Sequence, residues 1–213
     1  YIKNSVYDRT NNIYSLALAK EQLQEDDTIL LESDLIFDSS MLDLLTGDNR
    51  PNLALVAKYE TWMDGTMVRI QAENTMINFV TKDALRYEDA DQSYKTVNIY
   101  KFSKEFSKTK YVPFLEAYSR AVGNNEYYEQ VLRIITMLDD PELKAKRLSG
   151  EKWYEIDDIQ DLDIATSMFS PNAEEKVALL QSRYGGYWRY PQLIDFCYLV
   201  NPYFPPKRMV DEL

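Results

Sequence analysis

Ile29-Leu30-Leu31 runs directly into Glu32-Ser33-Asp34. An apolar run this short and this rich in branched side chains suits a buried strand, predicted over Thr28–Ser33, better than a helix. In extended chain, positions two apart share a face, so Glu32 and Asp34 point the same way. Two neighbouring carboxylates at the end of a buried strand repel each other unless a cation or a solvated cleft accepts them. Open α/β sheets place their ligands beyond the carboxyl ends of strands. The segment therefore constrains both the fold, towards an α/β sheet, and the place of a candidate cation site.

The rest of the chain alternates in the same manner. Ile13, Leu16, Ala17, Lys20 and Leu23 follow helical spacing, predicting a helix over Asn11–Gln24 with Asn11 or Asn12 as its cap. Ser39 or Ser40 opens a short helix through Met41 and Leu45 that ends near Gly47. Leu53–Tyr59, Thr66–Ile70, Met76–Val80 and Val97–Phe102 read as strands, with Asp64-Gly65 a turn signal between Tyr59–Trp62 and Thr66–Ile70. Two helices follow, Lys104–Val122 and Glu126–Leu138, split by Gly123-Asn124-Asn125. The charged stretch around Lys144–Arg147 reads as a solvated helical face. Trp153–Ile156 is a further strand, and Asp158–Met168 an amphipathic helix. Mixed strands and helices with crossovers favour a sheet over a bundle. Ser170-Pro171 marks a boundary, placing one domain over 1–168 and a Pro- and aromatic-rich segment over 169–213.

Composition narrows the function classes. The chain has 213 residues, 45% hydrophobic and 28% charged, with a formal net charge of -11. That balance, without a Lys/Arg-rich run, disfavours nucleic-acid and membrane-surface binding. One cysteine excludes an intrachain disulfide and fits a cytoplasmic setting. No histidine is present, which removes His-based triads and His-ligated zinc. Chemistry then falls to carboxylates, Lys/Arg, hydroxyls and an oxygen-preferring ion such as magnesium. The chain begins at Tyr1 rather than Met, so the natural N-terminus is expected upstream.

A second acidic strand end, Glu155-Ile156-Asp157, joins the first. Carboxylates from two strand ends suit one divalent cation beside a triphosphate, although Asp157 and Asp158 also suit capping of the helix that follows. The motifs Asn11-Asn12-Ile13-Tyr14-Ser15-Leu16, Leu30-Leu31-Glu32-Ser33-Asp34-Leu35-Ile36-Phe37-Asp38 and Trp153-Tyr154-Glu155-Ile156-Asp157, in this order and spacing, resemble the sugar-nucleotide type of nucleotidyltransferase. The subgroup they resemble is the cytidylyltransferases of phosphocholine or 2-aminoethylphosphonate. The resemblance covers 7–168 and implies the C-terminal two-thirds of a Rossmann-like α/β mixed sheet with flanking helices. It further implies that Asp34 and Asp157 hold the catalytic Mg2+, that Asn12 and Ser15 lie beside the nucleotide, and that Tyr14 and Glu32 lie beside the acceptor. Trp62 is a candidate contact for an ammonium group through cation–π attraction.

The implied reaction transfers CMP from CTP to a small anionic amino compound and releases pyrophosphate. An ionised phosphate or phosphonate acceptor needs alignment and charge neutralisation more than a strong base. The family's Gly-rich phosphate loop has no counterpart among the six glycines here, so the chain is expected to begin after that first third. Tyr184-Gly185-Gly186 and the segment Leu193–Pro206 resemble the opening of a histidinol-phosphate-type aminotransferase. That implies pyridoxal phosphate in a downstream domain and a fusion of two enzymes. A sugar-1-phosphate nucleotidyltransferase and a noncatalytic, structural or dimerising piece are the alternatives, and a homodimer is compatible with either.

Overall fold

The computed structural model describes residues 1–60, 63, 65–81, 84–172, 174–175 and 207–212. They belong to two units, Tyr1–Glu151 and Lys152–Leu213.

The first unit opens with α1 (Asn12–Leu18) and α2 (Lys20–Glu25). The single helix expected over Asn11–Gln24 is broken at Ala19, whose φ of -92° and ψ of 9° interrupt the helical ladder. Asn11 is the N-cap, its side chain accepting from the Asn12 amide at 2.7 Å. Next come β1 (Thr28–Leu31), β2 (Leu35–Phe37), α3 (Ser40–Thr46), β3 (Leu53–Lys58), β4 (Thr66–Ile70), β5 (Met76–Thr81) and β6 (Ser93–Phe102). The unit closes with α4 (Lys104–Phe106), a π-turn over Ser107–Tyr111, α5 (Val112–Val122), α6 (Glu129–Ile135) and β7 (Lys144–Arg147). Gly123 ends α5 at a φ of 115°, a value open to glycine and strained for other residues.

The sheet runs β5-β4-β6-β3-β7, and β1 also pairs with β6. All three partners of β6 are antiparallel to it, whereas β3 and β7 are parallel, so the sheet is mixed. β6 serves one edge to β3 and divides the other. Its Ile99–Phe102 pairs with β1, and its Ser93–Lys95 pairs with β4. The stretch 96–98 lies between those two partners, at a fork in the sheet.

β7 corrects the helical reading of Lys144–Arg147. Its pairing runs Leu53↔Lys144 to Val56↔Arg147, and Ala145 is 1% exposed beside fully buried Leu143. A small apolar side chain between long basic ones satisfies a strand at a sheet margin, where Lys144 reaches the Thr75 hydroxyl at 2.7 Å and Lys146 reaches Asp48 at 3.2 Å.

The core lies where Ala54 and Val56 of β3 and Tyr100 and Phe102 of β6 meet Ile13, Leu115 and Leu132 from α1, α5 and α6. Phe102 stacks obliquely on Phe106 and Tyr111, with ring centroids 5.4 and 4.9 Å away. β3 is buried along Leu53–Ala57, as a strand covered on both faces requires. α3 buries Met41 and Leu45, and Lys101 of β6 donates to the carbonyls of Leu45 and Asp48 at 3.1 and 2.7 Å. A cation placed there satisfies carbonyls left open where the helix ends.

The second unit holds β8 (Trp153–Glu155) and α7 (Ile159–Phe169), and Lys207–Asp211 forms a short helix. Asp158 caps α7, accepting from the amides of Gln160 and Asp161 at 2.6 and 3.0 Å. Asp161 returns the favour by accepting from the Asp158 amide, which closes a capping box. The aminotransferase-like segment Tyr184–Pro206 lies outside the described residues. No described helix is long and apolar enough to cross a membrane.

Candidate functional site

β1 ends at Leu31, two residues earlier than expected, so Glu32 follows the strand and Asp34 sits in the turn before β2. The two side chains still converge, with one carboxylate oxygen of each within 4.8 Å of the other. Both residues are half-buried. At that separation two carboxylates repel each other unless something positive or polar intervenes.

Part of the compensation for Glu32 comes from β6. The β1–β6 register ends at Leu31↔Ile99, which brings Glu32 beside Asn98. Asn98 Nδ2 donates to Glu32 Oε2 at 3.0 Å. Below it, Tyr128 and Tyr100 meet edge to face with centroids 6.0 Å apart. Burial raises the Tyr128 phenol well above its usual pKa, with Tyr100, Glu129 and Glu32 adding to the shift. Burial likewise raises Tyr100, with smaller contributions from Glu129 and Glu32. Both phenols therefore stay neutral at physiological pH.

Asp34 is placed differently. Its Oδ1 is shielded from solvent and accepts no hydrogen bond among the described residues. A buried carboxylate oxygen left so is costly. A hard divalent cation is the natural complement to such oxygens, and the donor set of Glu32 and Asp34 fits magnesium in kind. Bound there, Mg2+ would supply positive charge to phosphate oxygens.

The remaining sequence candidates are spread over both units. Asn12 Oδ1 accepts from the Tyr128 amide at 2.9 Å, tying the start of α1 to the start of α6. Its carbonyl oxygen thus has a structural use, one step removed from Glu32 through Tyr128. Ser15 is exposed, with its Oγ accepting from Asn4 Nδ2 at 3.1 Å, and Tyr14 is half-buried. Asp157, in the second unit, is exposed in the bend before α7. Its backbone amide donates to Asp161 Oδ2 at 3.1 Å, and the N-cap itself is Asp158. Trp62 lies outside the described residues. Sequence reasoning missed Asn98 and Tyr128. The one available signal was an Asn inside the strand-forming run Thr96-Val97-Asn98-Ile99-Tyr100, where Asn is depleted.

No protein-family model matches the chain. Along its whole length it is 30% identical over 215 residues to CMP-5'-(3-aminopropyl)phosphonate synthase of Streptomyces rubellomurinus (strain ATCC 31215). The chain spans 34% of that relative, about a third of its length. Among solved structures, the CTP:phosphocholine cytidylyltransferase of Streptococcus pneumoniae is similar with a TM-score of 0.63 at 18% identity, over 78% of this chain and 67% of that one. The inositol-1-phosphate CTP transferase of T. maritima is similar with a TM-score of 0.52 at 18% identity, over 83% of this chain and 64% of that one. The mixed sheet with flanking helices is thus the α/β fold that these nucleotidyltransferases share.

Proposed function

We propose that this chain belongs to a cytidylyltransferase that moves CMP from CTP onto a phospho- or phosphono-amino compound and releases pyrophosphate. The carrying observation is the 30% identity, over the entire chain, with a relative whose name specifies a CMP-aminoalkylphosphonate product. The acceptor class that follows is a short aminoalkylphosphonate such as 2-aminoethylphosphonate, with phosphocholine as its close analogue.

In this reading an acceptor oxygen attacks the α-phosphorus of CTP. The new P–O bond forms as the bond to the β-phosphate bridging oxygen breaks, and pyrophosphate carries away the electron pair. The acceptor oxygen is already ionised, so no proton has to be removed, which suits a chain without histidine. Asp34 and Asp157 are the proposed Mg2+ ligands, each on the chemistry of its own surroundings. Glu32, beside Asp34, is proposed to share the ion with it and to border the acceptor, with Tyr14 and Trp62 as proposed acceptor contacts and Asn12 and Ser15 as proposed nucleotide contacts. The chain's task is to align the reactants and to hold compensating charge against four or more phosphate negatives. The aminotransferase-like segment supports a further part of the proposal: a pyridoxal-phosphate domain that makes or removes the primary amine of the same substrate.

The test is pyrophosphate release by the natural protein with CTP, Mg2+ and an acceptor panel of 2-aminoethylphosphonate, 3-aminopropylphosphonate, phosphocholine and glucose 1-phosphate. Turnover with an amino acceptor and none with the sugar phosphate supports the reading. Turnover with glucose 1-phosphate alone moves the chain to the sugar-nucleotide enzymes, and no turnover with any acceptor leaves it a noncatalytic piece.

A further inference from the structure

Asn98 occupies a position that a strand does not ordinarily give to a side chain. It lies inside β6, is 4% exposed, and has a φ of 60°. That left-handed conformation is rare outside glycine, and Asn is among the residues that tolerate it. The neighbouring register explains the geometry. From Ala54 to Val56, β3 advances two residues, while its partners on β6 run from Tyr100 to Thr96, four residues. The surplus on β6 is a bulge centred on 97–99, and bulges re-aim side chains next to functional sites. It overlaps the stretch 96–98, between the part of β6 that pairs with β1 and the part that pairs with β4.

The direction of the re-aimed amide is determined by its partners. Glu32 Oε2, an acceptor, takes the 3.0 Å hydrogen bond, so the NH2 end of Asn98 faces it. The carbonyl end then meets the Thr96 hydroxyl at 3.2 Å, whose single proton is shared with the Thr66 carbonyl, also at 3.2 Å. Each end of the amide has a complementary partner, and Glu32 is held on the side of Asp34.

We propose that Asn98 is a positioning residue: the bulge in β6 presents its amide to Glu32 and so fixes that carboxylate beside Asp34 for binding a divalent cation. The inference rests on the metal-dependent reading above and extends it to a residue that acts through Glu32. Outer partners that orient a ligand set ion affinity, and their loss commonly costs about 10- to 100-fold.

The experiment is titration of the natural protein with Mn2+, free ion being read by electron paramagnetic resonance, without nucleotide or acceptor. Asn98→Gly keeps the left-handed backbone open and removes only the amide. Its Mn2+ dissociation constant is expected to rise about tenfold, with a melting temperature near that of the wild type. Glu32→Gln is expected to weaken binding at least as much, and the double variant no more than Glu32→Gln alone, because Asn98 acts through Glu32. Wild-type affinity in Asn98→Gly, or losses that multiply in the double variant, would overturn the proposal. If Asn98→Gly does not fold, Thr96→Val removes only the hydroxyl behind the amide. A two- to threefold loss of Mn2+ affinity in that variant supports the proposal, and unchanged affinity overturns it. Since no substrate is present, a protein that binds Mn2+ in an Asn98-dependent manner yet turns over no CTP would refute the proposed reaction and leave this role of Asn98 intact.

Discussion

Arg50 grips Asp48 from two sides, Nε donating to Oδ1 at 2.9 Å and Nη2 to Oδ2 at 2.7 Å. The Arg50 amide adds a third bond to Oδ1 at 3.0 Å, and Lys146 of β7 reaches Oδ2 at 3.2 Å. Arg50 Nη1 also donates to the Ala145 carbonyl at 3.2 Å. Asp48 thereby ties the loop after α3 to the β7 margin of the sheet, and only 13% of its side chain is exposed.

The Arg50 hydrogen bonds hold the Asp48 carboxyl well below the usual aspartate range, against an opposing effect of burial, with Lys146 contributing further. A carboxyl whose pKa is depressed by folding stabilises the fold above its unfolded value, near 4, and loses that contribution as pH falls through the lower folded value. Asp48→Asn is therefore expected to cost about 1.5–3 kcal/mol at pH 7. The gap to the wild type should stay constant down to about pH 5 and narrow below about pH 4. Urea unfolding at pH 7, 5 and 3 measures it, and a gap that widens on acidification would contradict the assignment.

Asp34→Asn in the natural protein should lower Mg2+-dependent pyrophosphate release by about a hundredfold or more, since a carboxylate ligand contributes several kcal/mol of charge stabilisation. Far-ultraviolet circular dichroism should be unchanged, because no described hydrogen bond depends on Oδ1 of Asp34. Wild-type release rates would remove Asp34 from the mechanism.

Asp157 and Asp158 are adjacent and are expected to separate cleanly. Asp158→Ala removes the cap of α7 and should cost about 1 kcal/mol, with faster amide exchange in the first turn. Asp157→Asn leaves the capping box in place and should shift stability by no more than about 0.5 kcal/mol, while pyrophosphate release falls as for Asp34→Asn. The reverse pattern would return Asp157 to a purely structural role.

Asn52 is 1% exposed, and its Oδ1 accepts from both the amide and the hydroxyl of Ser103, at 2.8 and 3.0 Å. Ser103 in turn caps α4 through a 3.2 Å bond from the Phe106 amide. Asn52→Ala strands two donors at the junction of β3, β6 and α4 and should cost about 2–3 kcal/mol. Chemical denaturation reads this directly, and a cost below about 0.5 kcal/mol would show that water replaces Asn52.

Elements whose cause is local were legible before any coordinates. The run Ile29-Leu30-Leu31 forms β1, Asn11 caps α1, Gly123 ends α5 and Asp158 caps α7, because each depends on side-chain periodicity or on a bond to a residue a few positions away. Glu32 and Asp34 were legible as neighbouring carboxylates from their spacing, although a turn rather than extended chain brings them together.

Tertiary structure alone decided the rest. Lys144-Ala145-Lys146-Arg147 has no strand signal of its own, and it becomes β7 because β3 offers it an open parallel edge. Asn98 became a partner of Glu32, 66 positions away, through the register of β1 on β6 and a bulge opposite β3. Asp48 met Lys146 across 98 positions. Sequence by itself determined most of the segments that extend or coil, Lys144–Arg147 excepted, and where negative charge gathers. Which distant groups neutralise that charge depended on strand pairing, whose energy comes from partners far along the chain and leaves no mark on local spacing.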